Sequence, residues 1–207
     1  MSAPLPLLSY LRNDIIEVGV DEAGRGPLFG RLYCGACIWN PSITNYSMIK
    51  DSKKFKSRQE REKAYNYVIN NAVAWSSAFI EPAEIDDIGI SKAWVKCMHE
   101  AISKLYIDPD HIIVDGNYFV SYKDSKDQIV DHTTVVAGDN KYISVASASI
   151  IAKVEHDRYI EHLCNQNPVL KSYGIDHNMG YGTKEHIDAL IKYGATEFHR
   201  KTYIKKW

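Results

Sequence analysis

Three acidic positions each follow a short apolar run. Asp21-Glu22 closes Ile15–Val20, Asp115 closes His111–Val114, and Asp139 follows the run containing Thr134–Val136. In α/β sheets, functional groups gather beyond the carboxyl ends of the strands. If these runs are strands lying side by side in parallel, their carboxylates share one small space. Like charges that close destabilise one another unless a cation neutralises them. Mg2+ and Mn2+ are hard cations that seek such oxygens, and Mg2+ keeps several waters and borrows substrate phosphates. The chemistry that needs this is phosphodiester hydrolysis by two metals ~3.5–4 Å apart, one preparing a water nucleophile and the other stabilising the leaving 3′ oxygen. Each site also has a plainer reading. Asp115-Gly116-Asn117 and Gly138-Asp139-Asn140 are turn signals. Adjacent residues on a strand face opposite ways, so Asp21 and Glu22 both reach one metal only if the chain bends there.

The residues that follow are Ala23-Gly24-Arg25-Gly26-Pro27. Gly24 and Gly26, with Gly30, loosely match a dinucleotide-binding turn, but Gly30 falls one residue late and strand-like Leu32–Trp39 stands where a helix is required. That argues against a nucleotide-cofactor oxidoreductase. A glycine loop that lets backbone approach a polar ligand closely fits better, with Arg25 available for phosphate.

The elements that must position these groups follow from periodicity. Ile15–Val20 and Arg31–Trp39 read as strands. Glu60–Trp75 and Lys92–Leu105 carry apolar residues at helical spacing, with a strand over Trp75–Ile80. His111–Val114 and Thr134–Val136 read as short strands, Ser144–Leu163 as a long helix and Thr183–Tyr193 as a shorter one. Strands first, then alternating helices and strands, then helices, describe an α/β layered domain with a mainly helical C-terminal portion. Cys34 and Cys37 spell CxxC on a strand; residues three apart there point to opposite faces, so they read as small core residues rather than metal ligands.

The 207 residues suffice for one generous domain, and 45% apolar with 25% charged residues excludes wholesale disorder. No apolar run approaches the ~18–20 residues of a membrane span. Met1–Tyr10 carries Leu5, Leu7 and Leu8 but no basic n-region, so a cytoplasmic protein is expected. The net charge of −1 argues against an indiscriminate polyanion binder. Locally, Lys50–Lys63 holds seven basic residues against three acidic ones, and Lys192–Trp207 five against one, giving +4 in each. Each patch is either a solvated face or a grip on phosphates.

Val18-Gly19-Val20-Asp21-Glu22-Ala23-Gly24-Arg25-Gly26-Pro27-Leu28 resembles the opening signature of type 2 ribonuclease H, the ribonuclease HII family. Further blocks agree in order: Asp51-Ser52-Lys53-Lys54, Glu84-Ile85-Asp86 with Gly89-Ile90, Val114-Asp115-Gly116, Gly138-Asp139, Ser147–Val154, Gly180-Tyr181-Gly182-Thr183, His186 and His199-Arg200. The resemblance implies a ribonuclease H-like α/β fold: a mixed central sheet flanked by helices, with a catalytic core over residues 1–165 and a helical extension over 166–207. It implies that Asp21, Glu22, Asp115 and Asp139 are the catalytic metal ligands for two Mg2+ or Mn2+ ions. Gly24, Arg25 and Gly26 would recognise a 2′-hydroxyl, Lys53 would hold a phosphate, and Tyr181 would stack on the sugar of the neighbouring deoxynucleotide. Lys54, Lys153, His156 and Thr183 are candidates for phosphate contact or for supporting the site. The sequence departs from the common family pattern at Ala137, where many relatives carry Lys, at His156, where Arg is usual, and at Gly194-Ala195, which replaces Gly-Pro.

The implied activity is cleavage 5′ to a ribonucleotide in RNA–DNA hybrids and at single ribonucleotides in duplex DNA, leaving 3′-hydroxyl and 5′-phosphate ends. Type 3 ribonuclease H carries Gly-Lys-Gly in this loop, so Arg25 favours type 2. The alternatives are a type 3-like enzyme without junction preference and a non-catalytic nucleic-acid binder on the same fold, which would need no carboxylate set. A monomer is expected. Many relatives reach replication clamps through a C-terminal peptide, and Tyr203–Trp207 is not a clear example of one.

Overall fold

A computed structural model describes residues 7–12 and 14–205. Six strands, β1 (Glu17–Ala23), β2 (Leu32–Ile38), β3 (Ala74–Ile80), β4 (His111–Asp115), β5 (Tyr122–Lys123) and β6 (Ile129–Val135), form one sheet in the order β3-β2-β1-β4-β6-β5. The central pairs β1–β4 and β4–β6 are parallel and the others antiparallel, so the sheet is mixed. The helices are α1 (Arg58–Asn71), α2 (Pro82–Ile88), α3 (Ile90–Ser103), α4 (Ile143–Gln166), α5 (Ile175–Asn178) and α6 (Lys184–Tyr193).

Strand alternation divides the core. Val18, Val20, Ala36, Ile112 and Val114 turn to one face and pack with Trp94, Met98 and Ile102 of α3. The other face lies under α4, whose Ala146, Ala148, Ile150 and Val154 pack with Cys37 and with Ala64 and Val68 of α1. Helix and sheet touch at backbone distance there. A Cβ on Gly19 would stand 2.3 Å from the Ser144 carbonyl carbon, and one on Gly35 2.3 Å from the Ala148 oxygen. A third cluster joins Phe29 to Ile160, Leu163, Leu170, Tyr173, Ile175 and Leu190, and so ties the C-terminal helices to the end of α4. Cys34 and Cys37 are buried in different clusters, as strand geometry requires.

Several boundaries differ from the periodicity. β1 continues through Asp21 and Glu22 to Ala23 rather than ending before them. α1 stops at Asn71, and Trp75 belongs to β3, where it is partly exposed. β6 begins at Ile129, five residues earlier than the apolar run suggested. α2 is additional; Pro82 in its first turn and Gly89 at its end are the punctuation that marks it. The leucine-rich N-terminal run is seen from residue 7 onward: Leu8 pairs with Tyr142, donating its N–H to the Lys141 carbonyl and accepting from the Ile143 N–H. Leu5, Lys206 and Trp207 lie outside the described residues. No helix among the described residues is long and apolar enough to cross a membrane.

Candidate active site

The register Val20↔Val114 sets Asp21 beside Asp115, and both side chains fall on the α4 face. Asp139 sits in the 3-10 turn Gly138–Asn140 that leads into α4, behind Ala137 in the left-handed region at φ 55°. The turn is fastened to β4: the Gly138 N–H donates to Asp115 Oδ1 at 2.6 Å. Asp139 Oδ1 accepts from Asn140 Nδ2 at 2.8 Å, and the same amide nitrogen lies 3.4 Å from Asp51 Oδ2. Asp21 is 5% exposed and accepts from the Glu22 N–H at 2.7 Å; the Ser149 hydroxyl, 2.9 Å from that of Ser52, faces it and favours its charged form. Three aspartates from three separate segments therefore meet on one side of the sheet.

Burial, then Glu22 and Asp115, push the Asp21 carboxyl well above the usual carboxylate range. Burial, then Asp51 and Asp115, raise Asp139. Burial opposes the charge of Lys53, but Asp21, Asp139, Asp51 and Asp115 all face its ammonium and leave it above its ordinary value. Lys54 stands beside it, donating to Asn140 Oδ1 and lying 3.9 Å from Asp51.

Glu22 looks the other way. Its Oε2 accepts from Trp94 Nε1 at 2.9 Å, and its Oε1 lies 3.7 Å from the Arg25 guanidinium, which stacks 4.7 Å from the Trp94 ring centre. This is the consequence of adjacent positions on an unbent strand. Among the described residues no group of three Asp, Glu, His or Cys side chains is arranged to hold a metal ion as it stands. The carboxylates a metal would need are neighbours, and two of them are held through one oxygen each, Glu22 Oε2 by Trp94 Nε1 and Asp115 Oδ1 by the Gly138 N–H.

The Gly24–Gly26 loop leaves β1 with Gly24 at φ 82°, where a Cβ would strike the His156 ring at 2.6 Å. Tyr181 stands across from it, 47% exposed, with its Cε1 only 3.5 Å from where a Cβ of Gly26 would be. Loop, Glu22, Lys53, Lys153 and Tyr181 line one cavity of about 420 Å³. Lys153 donates to Asp157 at 2.7 Å, and Asp157 also pairs with Arg61 at 2.7 Å. His156 is 1% exposed behind Gly24, its Nδ1 3.1 Å from Asp157 Oδ1. Thr183 caps α6, its hydroxyl accepting from the His186 N–H at 3.3 Å.

The two basic patches resolve differently. In the first, Arg58 and Arg61 are engaged by Glu161 and Asp157, and Lys53 and Lys54 reach the carboxylates. In the second, Arg200 is fully buried and grips no phosphate; its guanidinium donates to the main-chain carbonyls of Gly24, Arg25, Pro27 and Gly30. Sequence reasoning missed Trp94, Asn140, Ser149 and this use of Arg200. No local signal marks them, since each acts through a neighbour brought near by the fold.

A family model described as ribonuclease HII matches residues 18–206. Ribonuclease HII of Bacteroides thetaiotaomicron is 40% identical over 197 residues, which is 95% of this chain and 94% of that protein. The protein of the same name from Phocaeicola vulgatus is 42% identical over 197 residues, 95% of this chain and 93% of its own. Among solved structures, ribonuclease H2 from Pyrococcus horikoshii aligns with a TM-score of 0.73 at 27% identity, covering 92% of this chain and 95% of that one. The ribonuclease HII of Archaeoglobus fulgidus, solved in complex with PCNA, aligns at 0.72 and 23% identity, covering 92% and 94%. With a mixed sheet, flanking helices and a helical C-terminal part in common with these structures, and with a family model spanning nearly its whole length, the chain belongs to the ribonuclease HII family.

Proposed function

We propose that this protein is a divalent-metal-dependent endoribonuclease that hydrolyses the phosphodiester 5′ to a ribonucleotide, in RNA–DNA hybrids and at single ribonucleotides embedded in duplex DNA, leaving 3′-hydroxyl and 5′-phosphate ends. Ribonuclease H action on RNA–DNA substrates comes with membership of the family. The observation that carries the finer reading is the meeting of Asp21, Asp115 and Asp139 on one face of the sheet, opposite Lys53 and next to a glycine loop.

The donor set suits a hard cation. It is all carboxylate oxygen, and burial first, then the charge of neighbouring carboxylates, raises Asp21 and Asp139. Asp21, Glu22, Asp115 and Asp139 would hold Mg2+ or Mn2+, two ions during catalysis, which supply Lewis-acid activation of water and charge neutralisation at the leaving oxygen. The other roles fall to the protein. Backbone of Gly24–Gly26 can meet a 2′-hydroxyl, the group that separates RNA from DNA, while Arg25 lies exposed for phosphate. Lys53 faces the same cavity and offers a cation to the phosphate near the cut. Tyr181, exposed at the rim, offers an aromatic face to the next sugar. In this reading residues 1–165 form the catalytic core, and the extension over 166–207 contributes the junction-testing tyrosine.

The test is one gel: a duplex with a single embedded ribonucleotide, with and without Mg2+, mapping the cut. Cleavage on the 5′ side of the ribonucleotide, abolished by chelation, is expected. Asp115→Asn should stop cleavage while hybrid binding survives, because a ligand is lost and the basic groups remain. Undiminished turnover in that variant would refute the ligand role.

A further inference from the structure

Two stretches distant in sequence make up the ribose reader of the proposed function, Gly24–Gly26 and Tyr181, and both are held by the same short C-terminal segment. We propose that His199 and Arg200, acting with His186, are positioning residues that set Tyr181 against the Gly24–Gly26 loop, so that the two act together as one gauge of the ribonucleotide–deoxyribonucleotide junction. The proposal rests on the reading above.

The loop half begins at Arg200. Its fully buried guanidinium donates to four main-chain oxygens: Nε to Gly30 at 3.0 Å, one terminal nitrogen to Arg25 at 3.1 Å and Pro27 at 2.9 Å, the other to Gly24 at 2.6 Å. Burying a guanidinium without a bonded carboxylate is costly, so the arrangement persists only because the four carbonyls satisfy it together. Its effect on the loop follows from peptide geometry. In a trans peptide the C=O and the following N–H point in opposite directions. With the Gly24 and Arg25 oxygens turned inward to Arg200, the N–H groups of Arg25 and Gly26 turn outward, on the exposed side of the loop where a 2′-hydroxyl would be met.

The tyrosine half runs through two imidazoles, 0% and 1% exposed. The Thr196 N–H donates to His199 Nδ1 at 2.9 Å, so that nitrogen carries no proton. The His199 proton is then on Nε2, 3.0 Å from His186 Nε2, which must accept. The His186 proton is left on Nδ1, which donates to the Tyr181 carbonyl at 2.9 Å. Every tautomer in this chain is fixed by a backbone donor at one end and a backbone acceptor at the other. Burial holds both rings below the ordinary histidine range, which keeps them neutral as the relay requires.

The halves are joined by Leu28. Its N–H donates to the Gly180 carbonyl at 2.8 Å, and its carbonyl accepts from the Arg200 N–H at 2.8 Å; the Gly30 N–H donates to Phe198 O at 2.9 Å. Gly180 sits at φ 80°, where a Cβ would come within 2.8 Å of the Phe29 oxygen, so the approach is as close as backbone permits.

The test compares kcat/KM at a single embedded ribonucleotide with that on a continuous hybrid. Asn places its amide where His Nδ1 lies, and Gln where Nε2 lies. His186→Asn therefore keeps the donor to Tyr181, while His186→Gln keeps only the link to His199. The ratio should fall about tenfold or more in His186→Gln and in Arg200→Lys, since small displacements of positioned groups cost that much, and stay within about threefold of wild type in His186→Asn. A merely structural role would move the two His186 variants alike. Should these variants fail to fold, 15N shifts of the wild-type imidazoles still decide: protons on His186 Nδ1 and His199 Nε2 are expected, and the reverse pair overturns the relay. A wild-type protein that cuts, with unchanged ratios in His186→Gln and Arg200→Lys, overturns the proposal alone. A wild-type protein that cuts neither duplex removes the underlying reading, and the proposal with it.

Discussion

Acidification should destabilise this fold through His199 before most carboxylates titrate. Burial, and then the neighbouring His186, lower His199 from the usual 6.5 to about 4. The unfolded chain therefore takes up a proton as pH falls through about 6.5, while the folded chain refuses it until about 4, and stability is lost across that window. For this one group the linkage integral gives a loss of about 2 kcal/mol between pH 7 and pH 5, and about 3 kcal/mol by pH 4. His186, His156 and His111 are also held below the ordinary histidine value, chiefly by burial, and act in the same direction. Asp21 and Asp139 act oppositely, because their raised carboxyls bind protons more readily in the folded state. A difference measurement cancels these background terms. Urea unfolding of wild type and His199→Gln at pH 7, 6 and 5, at constant ionic strength, should give a shallower pH dependence for the variant, by about 2 kcal/mol over the range. Parallel curves would show that His199 carries no such shift and that the pair is not desolvated as described.

Trp94→Phe keeps the ring packing but removes the donor to Glu22, and Mn2+ affinity measured by calorimetry should fall about tenfold, in line with lost orientation of a ligand carboxylate; unchanged affinity would sever Trp94 from the site. Glu17→Gln weakens a carboxylate that accepts from the Leu11 and Arg12 N–H groups and from His111 Nδ1. A stability loss of about 1–3 kcal/mol is expected, with faster proteolytic release of the N-terminal arm; wild-type protection would refute the clasp. Tyr181→Ala should lower cutting at an isolated ribonucleotide more than on a continuous hybrid, and equal loss on both would remove its junction role.

Much of the site was legible because strands write their geometry into sequence. Asp115 at the end of a four-residue apolar run and Asp139 in a Gly-Asp-Asn turn could be placed at strand ends, and the parallel β1–β4–β6 order brings them together. The period of two left one condition open, that Asp21 and Glu22 reach one metal only if the chain bends there; β1 runs on through both, and Glu22 turns to Trp94. Illegible were the residues whose roles depend on burial by distant segments. Arg200 sits in a +4 stretch and reads as surface charge; only the packing of the C-terminal segment under residues 24–30 turns it into a backbone clamp. The pairing of Leu8 with Tyr142 left no pattern either, being a two-residue bridge outside any regular strand.

The same geometry makes the α4–sheet contact a control point, and two glycines test it against each other. Ser149 reaches Asp21 only because α4 lies on β1 and β2 at backbone distance. Gly35→Ala would place a Cβ 2.3 Å from the Ala148 oxygen and 3.1 Å from the Ala152 nitrogen, atoms of the helix backbone that cannot rotate away. The helix must shift, at a cost of about 1–3 kcal/mol for overpacking, and it carries the neighbouring Ser149 with it. Gly194→Ala costs a comparable about 1–2 kcal/mol for another reason: Gly194 sits at φ 78° with nothing within 4 Å of its added Cβ, so strain is local and the helix–sheet contact is untouched. Both variants should lose similar stability in urea, but only Gly35→Ala should lose cleavage at a temperature where each is fully folded. Equal activity in the two would mean that Asp21 is not positioned through α4, and that the helix serves the core alone.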